Sequence, residues 1–444
     1  MLFSKEDLRK LVVPLLIEQV LAVAVGMIDT VMVSSVGEAA VSGVSLVDNI
    51  SILLIGLFGA LATGGAVVAG QFLGQKNQEN ACKAANQLLL FVGISSIIIM
   101  TFFLIFHQFI LTKVFGQIDA DVMQAAKTYL LITAVSIPPL ALYNGGAALF
   151  RAMGNSRVTM WVSFLMNAIN AIGNAVLIFG FKMGVAGVAI PTLVARSVAA
   201  ILILAMLFNP KHTIHLSKQF EFRFHKKMIQ KILYIGIPNG LENSIFQLGK
   251  ILILSLVSVC GTSAIAANAV SGTVATLNIL PGSALGLAML SVVSMCVGAN
   301  DYEQAKYYTK KLMRQIHIYI GIISALLLIF CPVVAGIFNL SPEATAMTEQ
   351  LIRWYAVCAF LFWPESFSLP NTLRASNDVT FTMGISIFSM WMFRIVCSYI
   401  LVRVFDMGVL GVWIAMTIDW LFRAVVFSTR YVRGKWKLKY ANSK

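Results

Sequence analysis

The feature that most constrains the fold of this chain is a series of apolar runs, each long enough to cross a lipid bilayer. A membrane-spanning helix needs about 20 predominantly apolar residues, and the sequence contains twelve runs of that kind. No ten-residue alternation typical of barrel strands is present in the sequence. We therefore predict an all-α polytopic membrane protein with twelve transmembrane helices. The runs lie at approximately 11–35, 46–73, 85–110, 126–150, 159–181, 185–207, 229–257, 263–297, 315–338, 348–372, 380–404 and 409–429.

The composition is incompatible with the common classes of soluble protein. Hydrophobic residues make up 59% of the 444 residues and charged residues 12%, which is about half the charged share of a soluble domain. A cytosolic enzyme, a secreted disulfide scaffold and a disordered chain are thereby excluded. The six cysteines form no CxxC pair, and we interpret them as small apolar residues inside helices. We expect no cleavable signal peptide, because the first apolar run is as long as a full span.

The net charge of +14 is explained by where the cations lie along the chain. Of the 33 Lys and Arg residues, 24 fall in segments on the side of the N-terminus, 4 fall on the opposite side and 5 lie within or near the ends of spans. By the positive-inside rule, the side with 24 cations is cytoplasmic. We predict a multi-pass protein of the inner (plasma) membrane with both termini in the cytoplasm, and no nucleic-acid partner.

The second half of the sequence repeats the first at a shift of 224 residues, with a small gap, because Arg151-Ala152 matches Arg374-Ala375 at a shift of 223. Each half contains six spans, an even number, so the two repeats have the same orientation. We predict two six-helix bundles related by a pseudo-two-fold axis along the membrane normal, with a cavity between them. The predicted N-lobe covers 1–207, the cytoplasmic linker 208–228 and the C-lobe 229–444. The shift aligns Pro14 with Pro238, Glu18 with Glu242, Gly37 with Gly261 and Gly74 with Gly298.

Ionisable residues inside spans are the main functional candidates, because an unpaired charge at the membrane centre costs about 2.5–3.5 kcal/mol on insertion scales. Asp29 lies in span one, about 16 Å deeper than Glu18 at roughly 1.5 Å per residue. We predict that it binds a proton or cation that biases inward- against outward-facing states; the alternative is a structural carboxylate capped by Asn or Thr. In span five, Asn167, Asn170 and Asn174 share one helix face. They suit an amide network around Asp29 or, alternatively, packing between spans.

The C-lobe has its own candidates. Glu365 follows Pro364 in span ten, where the proline bends the helix and frees a carbonyl beside the carboxylate. Lys250 lies near the middle of span seven, two turns past Glu242. It is either part of a structural ion pair or a residue that replaces a bound cation. Glu18 and Glu242 each follow a proline by one turn, and their roles stay open between ion coupling and capping or pairing.

Other charged residues point to structure rather than to chemistry. Asp48 is interpreted as a cap or boundary residue of span two, and Asp419 and Arg423 as an ion pair within span twelve. Arg196 and Arg394 stay open between ion pairing and coupling. The sequence has no Walker motif, which excludes pumping driven directly by ATP on this chain. Enzymatic activity is not expected, since the histidines near span ends, including His317, have no acid–base partner in the sequence pattern.

Three sequence segments resemble the multidrug and toxic compound extrusion (MATE) family. The resemblance covers nearly the whole chain, including the repeat, and is most specific in the Gly-x-x-Asp-Thr-x-Met run of span one. It implies a V-shaped pair of six-helix bundles that exports organic cations and other drugs, driven by inward flow of protons or sodium, without a cofactor. The segments are Pro14-Leu-Leu-Ile-Glu-Gln to Gly26-Met-Ile-Asp29-Thr30-Val-Met, Leu149-Phe-Arg-Ala-Met-Gly-Asn155 and Gly184-Val-Ala-Gly187.

The resemblance also implies site residues. The first-span acid of the family matches Asp29, and the span-five Asn, span-five Asp and span-six Thr of one branch match Asn170, Asn174 and Thr192. Because Asn174 replaces the usual Asp, the site carries one formal charge, and we favour protons over sodium, with Na⁺ at Asp29 as the alternative. Another branch has a span-seven Glu about two turns after the proline, whereas Glu242 comes a turn earlier, which argues against a simple sodium site in the C-lobe.

We therefore predict a secondary active multidrug efflux transporter that exports organic cations or drugs by antiport with H⁺ or Na⁺ through alternating access. We expect a monomer that contacts membrane lipid and needs no cofactor. The alternative is a flippase for a lipid-linked oligosaccharide or lipid in the same superfamily, whose cavity would be more cationic. The predicted ion-coupling residues are Asp29, Asn170, Asn174 and Thr192 in the N-lobe, with Glu242, Lys250 and Glu365 as coupling or substrate residues in the C-lobe.

Overall fold

The computed structural model describes residues 2–114, 119–217 and 222–441. All regular secondary structure in these ranges is helical, which confirms the predicted all-α class. Lys218 and Lys444, two of the cations assigned to the cytoplasmic side, lie outside the described residues, as does part of the predicted linker.

The described residues of the first half form seven α-helices and two short π-helical segments. The α-helices are α1 Lys5–Ser34, α2 Glu38–Gly74, α3 Gln78–Phe109, α4 Ala120–Val135, α5 Ile137–Ala152, α6 Ser156–Ala175 and α7 Ala186–Leu207, and the π-helical segments are Ile110–Val114 and Val176–Gly180.

In the second half, residues 222–441 form ten α-helices and two further π-helical segments. The α-helices are α8 Lys226–Ser258, α9 Thr262–Gly298, α10 Tyr302–Ile329, α11 Cys331–Gly336, α12 Pro342–Trp363, α13 Pro370–Ala375, α14 Val379–Ser389, α15 Cys397–Arg403, α16 Gly408–Val432 and α17 Trp436–Ala441. The π-helical segments are Pro364–Ser368 and Met390–Val396.

These elements correspond to the twelve predicted spans. Among the described residues, ten helical segments and one bent pair are long and apolar enough to cross a membrane. The bent pair is α4 and α5, which meet at 48° and form the fourth predicted span. The tenth predicted span is built from α12, the π-helical segment Pro364–Ser368 and α13. Large apolar side chains such as Val31 (70% exposed) and Ile105 (65%) lie on outer faces, where a soluble protein would keep polar groups but a membrane protein contacts lipid.

The helix boundaries reproduce the sequence repeat. Helices α2 and α9 are both 37 residues long, and each begins after a glycine in the left-handed region, Gly37 with φ of 132° and Gly261 with φ of 100°. Only glycine adopts such angles without strain. The next helices, α3 and α10, are capped by Asn77 and Asp301, whose side chains each accept from the backbone N–H three residues later. Both pairs are related by the shift that aligns the two halves of the sequence, so the internal repeat exists in the backbone as well.

Tertiary contacts divide the chain into two compact units, Phe3–Gly240 and Leu241–Lys444 with Met1–Leu2. The first turns of α8 therefore group with the first unit, although the sequence analysis places all of span seven in the C-lobe. The lobe limits at 1–207 and 229–444 stay a prediction. The six cysteines are unpaired, and Cys260 lies in the turn between α8 and α9 rather than inside a helix.

Candidate functional site

The first unit contains a polar cavity of about 330 Å³. Side chains from α1, α2, α4, α6 and α7 form its walls. Two carboxylates and one guanidinium are among the lining groups, which gives the cavity a formal charge of −1. The ionisable and amide or hydroxyl residues that line it are Asp29, Thr30, Ser45, Asp48, Tyr129, Asn167, Asn170, Thr192 and Arg196.

Asp29 is held by two amides of α6. Asn170 Nδ2 donates to Asp29 Oδ2 over 2.8 Å, and Asn174 Nδ2 donates to Asp29 Oδ1 over 3.0 Å. Thr192 of α7 donates to Asn170 Oδ1 over 3.1 Å. Residues 170 and 174 are four apart, so both amides project from one face of α6 towards α1. The structure thus brings together the four residues assigned to the N-lobe site, whose role in ion coupling stays a prediction.

A close approach of α6 and α7 places these groups. A Cβ atom at Gly173 would lie 2.7 Å from Pro191 Cβ, a distance that no side chain tolerates without displacing its neighbour. Glycine at 173 therefore allows α6 to lie directly against the proline of α7. Asn174 comes directly after Gly173 in α6, and Thr192 comes directly after Pro191 in α7. The close packing that the glycine permits therefore also positions the side chains that bind Asp29 and Asn170.

Asn174 leaves one polar atom without a partner. The residue is 0% exposed, and its Oδ1 atom accepts no hydrogen bond from the described residues. A buried carbonyl oxygen of this kind is costly unless a donor or a cation satisfies it. Oxygen atoms of Asp29 and Asn174 together suit a proton-bearing group or a hard cation such as Na⁺. The described ranges contain no group of three or more His, Cys, Asp or Glu arranged to hold a metal ion.

Asp48 forms a second acidic wall of the cavity. Tyr129 donates to Asp48 Oδ1 over 3.1 Å, and Arg196, on the same cavity, donates from Nη1 to Ser136 Oγ over 2.8 Å. The interpretation of Asp48 as a cap is wrong, because α2 begins at Glu38, well before this residue.

The spacing of residues around Asp48 in the sequence indicates its position on the cavity wall. Val41, Val44, Ser45 and Asp48 all line the cavity, and they recur at the spacing of one helix face. A carboxylate on an otherwise small and apolar face inside a span is a functional candidate by the same argument that identified Asp29. The boundary of span two was placed too late at residue 46, which hid the periodicity.

Glu18 belongs to a different environment near the start of α1. Its Oε1 atom lies 3.3 Å from Arg151 Nη1, and Thr159 Oγ1 donates to its Oε2 atom over 2.9 Å. The carboxylate is buried, and each of its oxygen atoms has a partner. These contacts connect α1 to α5 and α6. They agree with the interpretation of Glu18 as a paired residue, one of the roles that the sequence left open.

In the second unit, Glu242 and Glu365 have separate partners. Glu242 Oε1 lies 2.8 Å from Arg374 Nη2. Glu365 Oε1 lies 3.0 Å from His317 Nε2, and the Nδ1 atom of that histidine lies 2.9 Å from the carbonyl oxygen of Met313. His317 therefore does have an acidic partner, contrary to the sequence analysis, because the π-helical segment Pro364–Ser368 carries Glu365 against α10.

Lys250 does not form an ion pair with Glu242, the carboxylate two turns earlier. Its Nζ atom lies 5.0 Å from the centroid of the Phe246 ring, and the Arg394 guanidinium lies 5.1 Å from the same centroid. The predicted intrahelical pair of α16 is present, since Arg423 Nε lies 2.8 Å from Asp419 Oδ1. The three residues assigned to the C-lobe site thus have different immediate partners, and their roles stay predictions.

Comparison with known families matches both halves of the chain. The model of the family described as MatE matches residues 14–176 and again residues 238–400. The two matched segments have equal length and begin at Pro14 and Pro238, the two prolines that the internal repeat aligns.

Individual relatives and solved structures are similar over nearly the full length. The chain is 27% identical to "Uncharacterized transporter YisQ" of Bacillus subtilis, over 95% of this chain and 93% of the relative. It is 24% identical to "Probable multidrug resistance protein NorM" of Thermotoga maritima, over 98% and 93%. The structure also resembles "Crystal structure of MATE in the bent conformation", with a TM-score of 0.90 and 20% identity, over 99% of this chain and 97% of that chain. "Outward-facing conformation of a multidrug resistance MATE family transporter of the MOP superfamily" matches with a TM-score of 0.90 and 20% identity, over 98% and 96%.

Proposed function

Because the chain belongs to the MatE family of membrane transport proteins, which are not enzymes, we propose that it is a secondary active multidrug efflux transporter. In this proposal it exports organic cations in exchange for inward-moving H⁺, with Na⁺ as the alternative coupling ion. Relatives named multidrug resistance proteins, which align over almost the whole chain, support the efflux function. The coupling chemistry is argued from the first unit alone.

The observation that carries the proposal is the acidic cavity around Asp29. With Asp48 and Arg196 on its walls, the cavity has a formal charge of −1 when both carboxylates are ionised. A negatively charged cavity inside a span attracts cations, and an ionised acid there is stabilised by the cation that occupies it. An organic cation and an inbound proton therefore compete for the same carboxylate.

Asp29 is bound by amides and not by a fixed cation, which allows this exchange. Asn170 and Asn174 stabilise the ionised carboxylate by charge-assisted hydrogen bonds. Protonation of Asp29 removes the charge that holds an organic cation, and the solute is released. The exchange drives alternating access only if the protonated and the drug-bound forms have different affinities for the inward- and outward-facing states. The free oxygen of Asn174 is the ligand that Na⁺ would use beside Asp29.

The test is transport in proteoliposomes in which proton and sodium gradients are imposed separately. We expect ethidium export from wild type with an inward proton gradient. Asp29→Asn should abolish exchange while the protein still inserts and folds. Asp121→Asn, which neutralises an exposed acid at the start of α4 in the same unit, is the matched control and should transport like wild type. Wild-type transport by Asp29→Asn would refute the assignment, and export with a sodium gradient alone would identify Na⁺ as the coupling ion.

We further propose a monomer in the plasma membrane with both termini in the cytoplasm. The excess of Lys and Arg on one side of the predicted spans supports this orientation. In a cysteine-free background, Ser4→Cys should react with an impermeant maleimide only after the membrane is opened, and Asp406→Cys should react in intact cells. The reverse labelling pattern would overturn the orientation.

The flippase alternative is favoured by one observation, the excess of cations over carboxylates where Lys250, Arg394 and Arg423 meet in the second unit. An anionic lipid carrier needs such groups, whereas an organic cation does not. Transport of a fluorescent lipid pyrophosphate, measured beside ethidium export in the same vesicles, separates the two functions. Movement of the lipid without ethidium export would favour the flippase.

A further inference from the structure

A cluster of basic side chains surrounds Phe246 inside the second unit. Lys250 Nζ lies 5.0 Å from the ring centroid, and the guanidinium carbons of Arg394 and Arg423 lie 5.1 Å and 5.8 Å from it. Arg423 is also 5.4 Å from the centroid of Phe367. Three cations thus share one aromatic surface, and all three belong to helical segments long and apolar enough to cross a membrane.

The nearby carboxylates do not balance these charges. Asp419 pairs with Arg423 at 2.8 Å and also accepts from Ser389. Other carboxylates in the described part of the second unit pair with different cations. Among these pairs are Glu242 with Arg374, Glu365 with His317 and Asp378 with Arg430, at 2.8, 3.0 and 2.8 Å.

Lys250 and Arg394 are left without a carboxylate of their own. Within the described ranges, Lys250 forms no ion pair, and its Nζ atom lies against the Phe246 ring. Arg394 Nη1 lies 3.7 Å from Asp419 Oδ2, which is too long for a hydrogen bond. Lys250 thus has no counter-ion among the described residues, and Arg394 shares the single carboxylate of Asp419 with Arg423. Incompletely balanced cations inside a membrane span are costly unless a ligand or water compensates them.

Arg394 has a donor available for a ligand. The residue is 9% exposed, and its Nη1 atom is buried without a hydrogen-bond partner among the described residues. It belongs to the π-helical segment Met390–Val396, a type of local irregularity that occurs often at functional sites. Lys250, by contrast, is exposed on α8. Besides Arg423, the cluster therefore has one accessible cation, Lys250, and one buried cation with a free N–H group, Arg394.

The repeat gives the two units opposite polarity at equivalent positions. At the shift that aligns the two halves, Arg394 corresponds to Asn170, which binds Asp29, and Lys250 corresponds to Gly26, one turn before Asp29. The region that presents a carboxylate and amides in the first unit thus presents an ammonium and a guanidinium in the second. A cation suits the former region, and an anion suits the latter.

We propose that Lys250 and Arg394 form a binding site for the carboxylate or phosphate group of an amphipathic anion. The guanidinium offers the planar N–H donors that such groups prefer, and the ammonium adds a mobile point charge. Phe246 and Phe367 supply apolar surface for the rest of the ligand. The site goes beyond cation efflux, because binding there requires neither Asp29 nor a coupling ion.

The test uses two dyes of the same ring system that differ at one carboxyl group. Rhodamine 110 has a free carboxylate, and rhodamine 123 is its methyl ester. Their affinities are measured by fluorescence anisotropy with the full-length protein in phosphatidylcholine nanodiscs. We expect Lys250→Gln to weaken rhodamine 110 binding about tenfold, as for one lost hydrogen bond to a charged group, with little change for rhodamine 123. Arg394→Lys keeps the charge but loses the planar donors, and should weaken rhodamine 110 binding by a smaller factor.

Lys311→Gln is the matched control, because Lys311 also lies over an aromatic ring, 5.7 Å from the Tyr307 centroid, on α10 of the same unit. It should leave both affinities unchanged. Equal binding of rhodamine 110 by wild type, Lys250→Gln and Arg394→Lys would overturn the proposal, as would an equal loss in the Lys311→Gln control. A fluorescence-detected melting curve for each variant excludes unfolding as the cause of a loss.

Nanodiscs that contain phosphatidylglycerol identify the source of the anionic group. If this lipid weakens rhodamine 110 binding to wild type but not to Lys250→Gln, a lipid phosphate occupies the site. If it has no effect while the difference between the variants persists, the site selects soluble anions. Failure of ion-driven transport in Asp29→Asn does not affect either result, so the two proposals are tested independently.

Discussion

Arg374 Nη2 lies 2.8 Å from Glu242 Oε1, and this pair occupies the place in the second unit that Arg151 and Glu18 occupy in the first. Both glutamates follow the proline inside the first helix of their repeat, and both arginines lie in the last turn of their helix. A contact that recurs in both halves, between largely buried side chains, indicates a structural connection in each unit rather than one specific to transport.

We therefore expect Glu242→Gln to destabilise the protein, because Arg374 would lose its anionic partner. Breaking a buried pair typically costs about 3–5 kcal/mol. The midpoint of thermal unfolding in detergent should fall by several degrees, and Glu18→Gln should have a similar effect through Arg151. Exchange by the surviving folded fraction should continue. If Glu242→Gln melts like wild type yet loses exchange, Glu242 is a coupling residue instead.

Asn174→Leu tests the buried amide beside Asp29. The substitution keeps the approximate volume but removes the hydrogen bond to Asp29 Oδ1, which is 3.0 Å long. Loss of a hydrogen bond to a charged group corresponds to at least about a tenfold effect, and we expect the exchange rate to fall by that factor. Asn49→Leu is the control, because this exposed amide of α2 donates to the Ser45 carbonyl of its own helix. Similar rates for both variants would show that the Asn174 amide does not act on Asp29.

Gly173→Ala should separate α6 from α7. The new Cβ atom would lie 2.7 Å from Pro191 Cβ, and overpacking of this kind costs about 1–3 kcal/mol. The hydrogen bond between Thr192 and Asn170 crosses the same interface of α6 and α7. The rate of exchange should therefore decrease by a larger factor than the expression level. Gly180→Ala, where no atom lies within 4 Å of the added Cβ, should be neutral. A fully active Gly173→Ala protein would mean that the close approach is not required.

His317 and Glu365 should act as one unit in a double-mutant cycle. His317 Nδ1 faces the carbonyl oxygen of Met313, and its Nε2 atom lies 3.0 Å from Glu365 Oε1. Either His317→Gln or Glu365→Gln breaks this pair, and we expect similar losses of proton-driven exchange from the two variants. The double variant should lose no more than either single variant, because interacting residues are not additive. Additive losses would show that the two residues act separately.

Asp301 should make stability depend on pH at the acid end. Hydrogen bonds from the backbone and side chain of Gln304 hold the pKa of this capping carboxyl below its ordinary value. Its contribution is therefore complete above the unfolded pKa of about 3.9 and is lost as the pH falls through the lower folded pKa. Asp301→Ala should lower stability by about 1 kcal/mol at pH 7, as for other helix caps. The stability difference between wild type and Asp301→Ala, measured by thermal unfolding, should be smaller at about pH 3 than at pH 7. An equal difference at both pH values would contradict the role of the ionised carboxylate.

The helices and the repeat could be predicted from the sequence because they depend on local and periodic properties. Apolar runs of the length of a bilayer identify the spans, and a constant shift identifies the two halves. The contact of Asn170 with Asp29 was also predictable, since the spacing of amides in span five selects one helix face and the family resemblance names its partner. The start of α2 could not be predicted in this way, because Gly37, and not the apolar run, determines where that helix begins.

Partners across helices were decided only by the tertiary structure. The sequence identified Lys250 and Glu242 as neighbours on one helix. In the structure, Glu242 instead forms an ion pair with Arg374, which belongs to another helix. His317 was overlooked because its acid belongs to a later span, on a π-helical segment that changes the direction of the side chain. The sequence by itself determined which charges lie inside the membrane. Only the packing determined which of them neutralise one another, since an ion pair depends on short distances between helices whose relative rotation no single helix encodes.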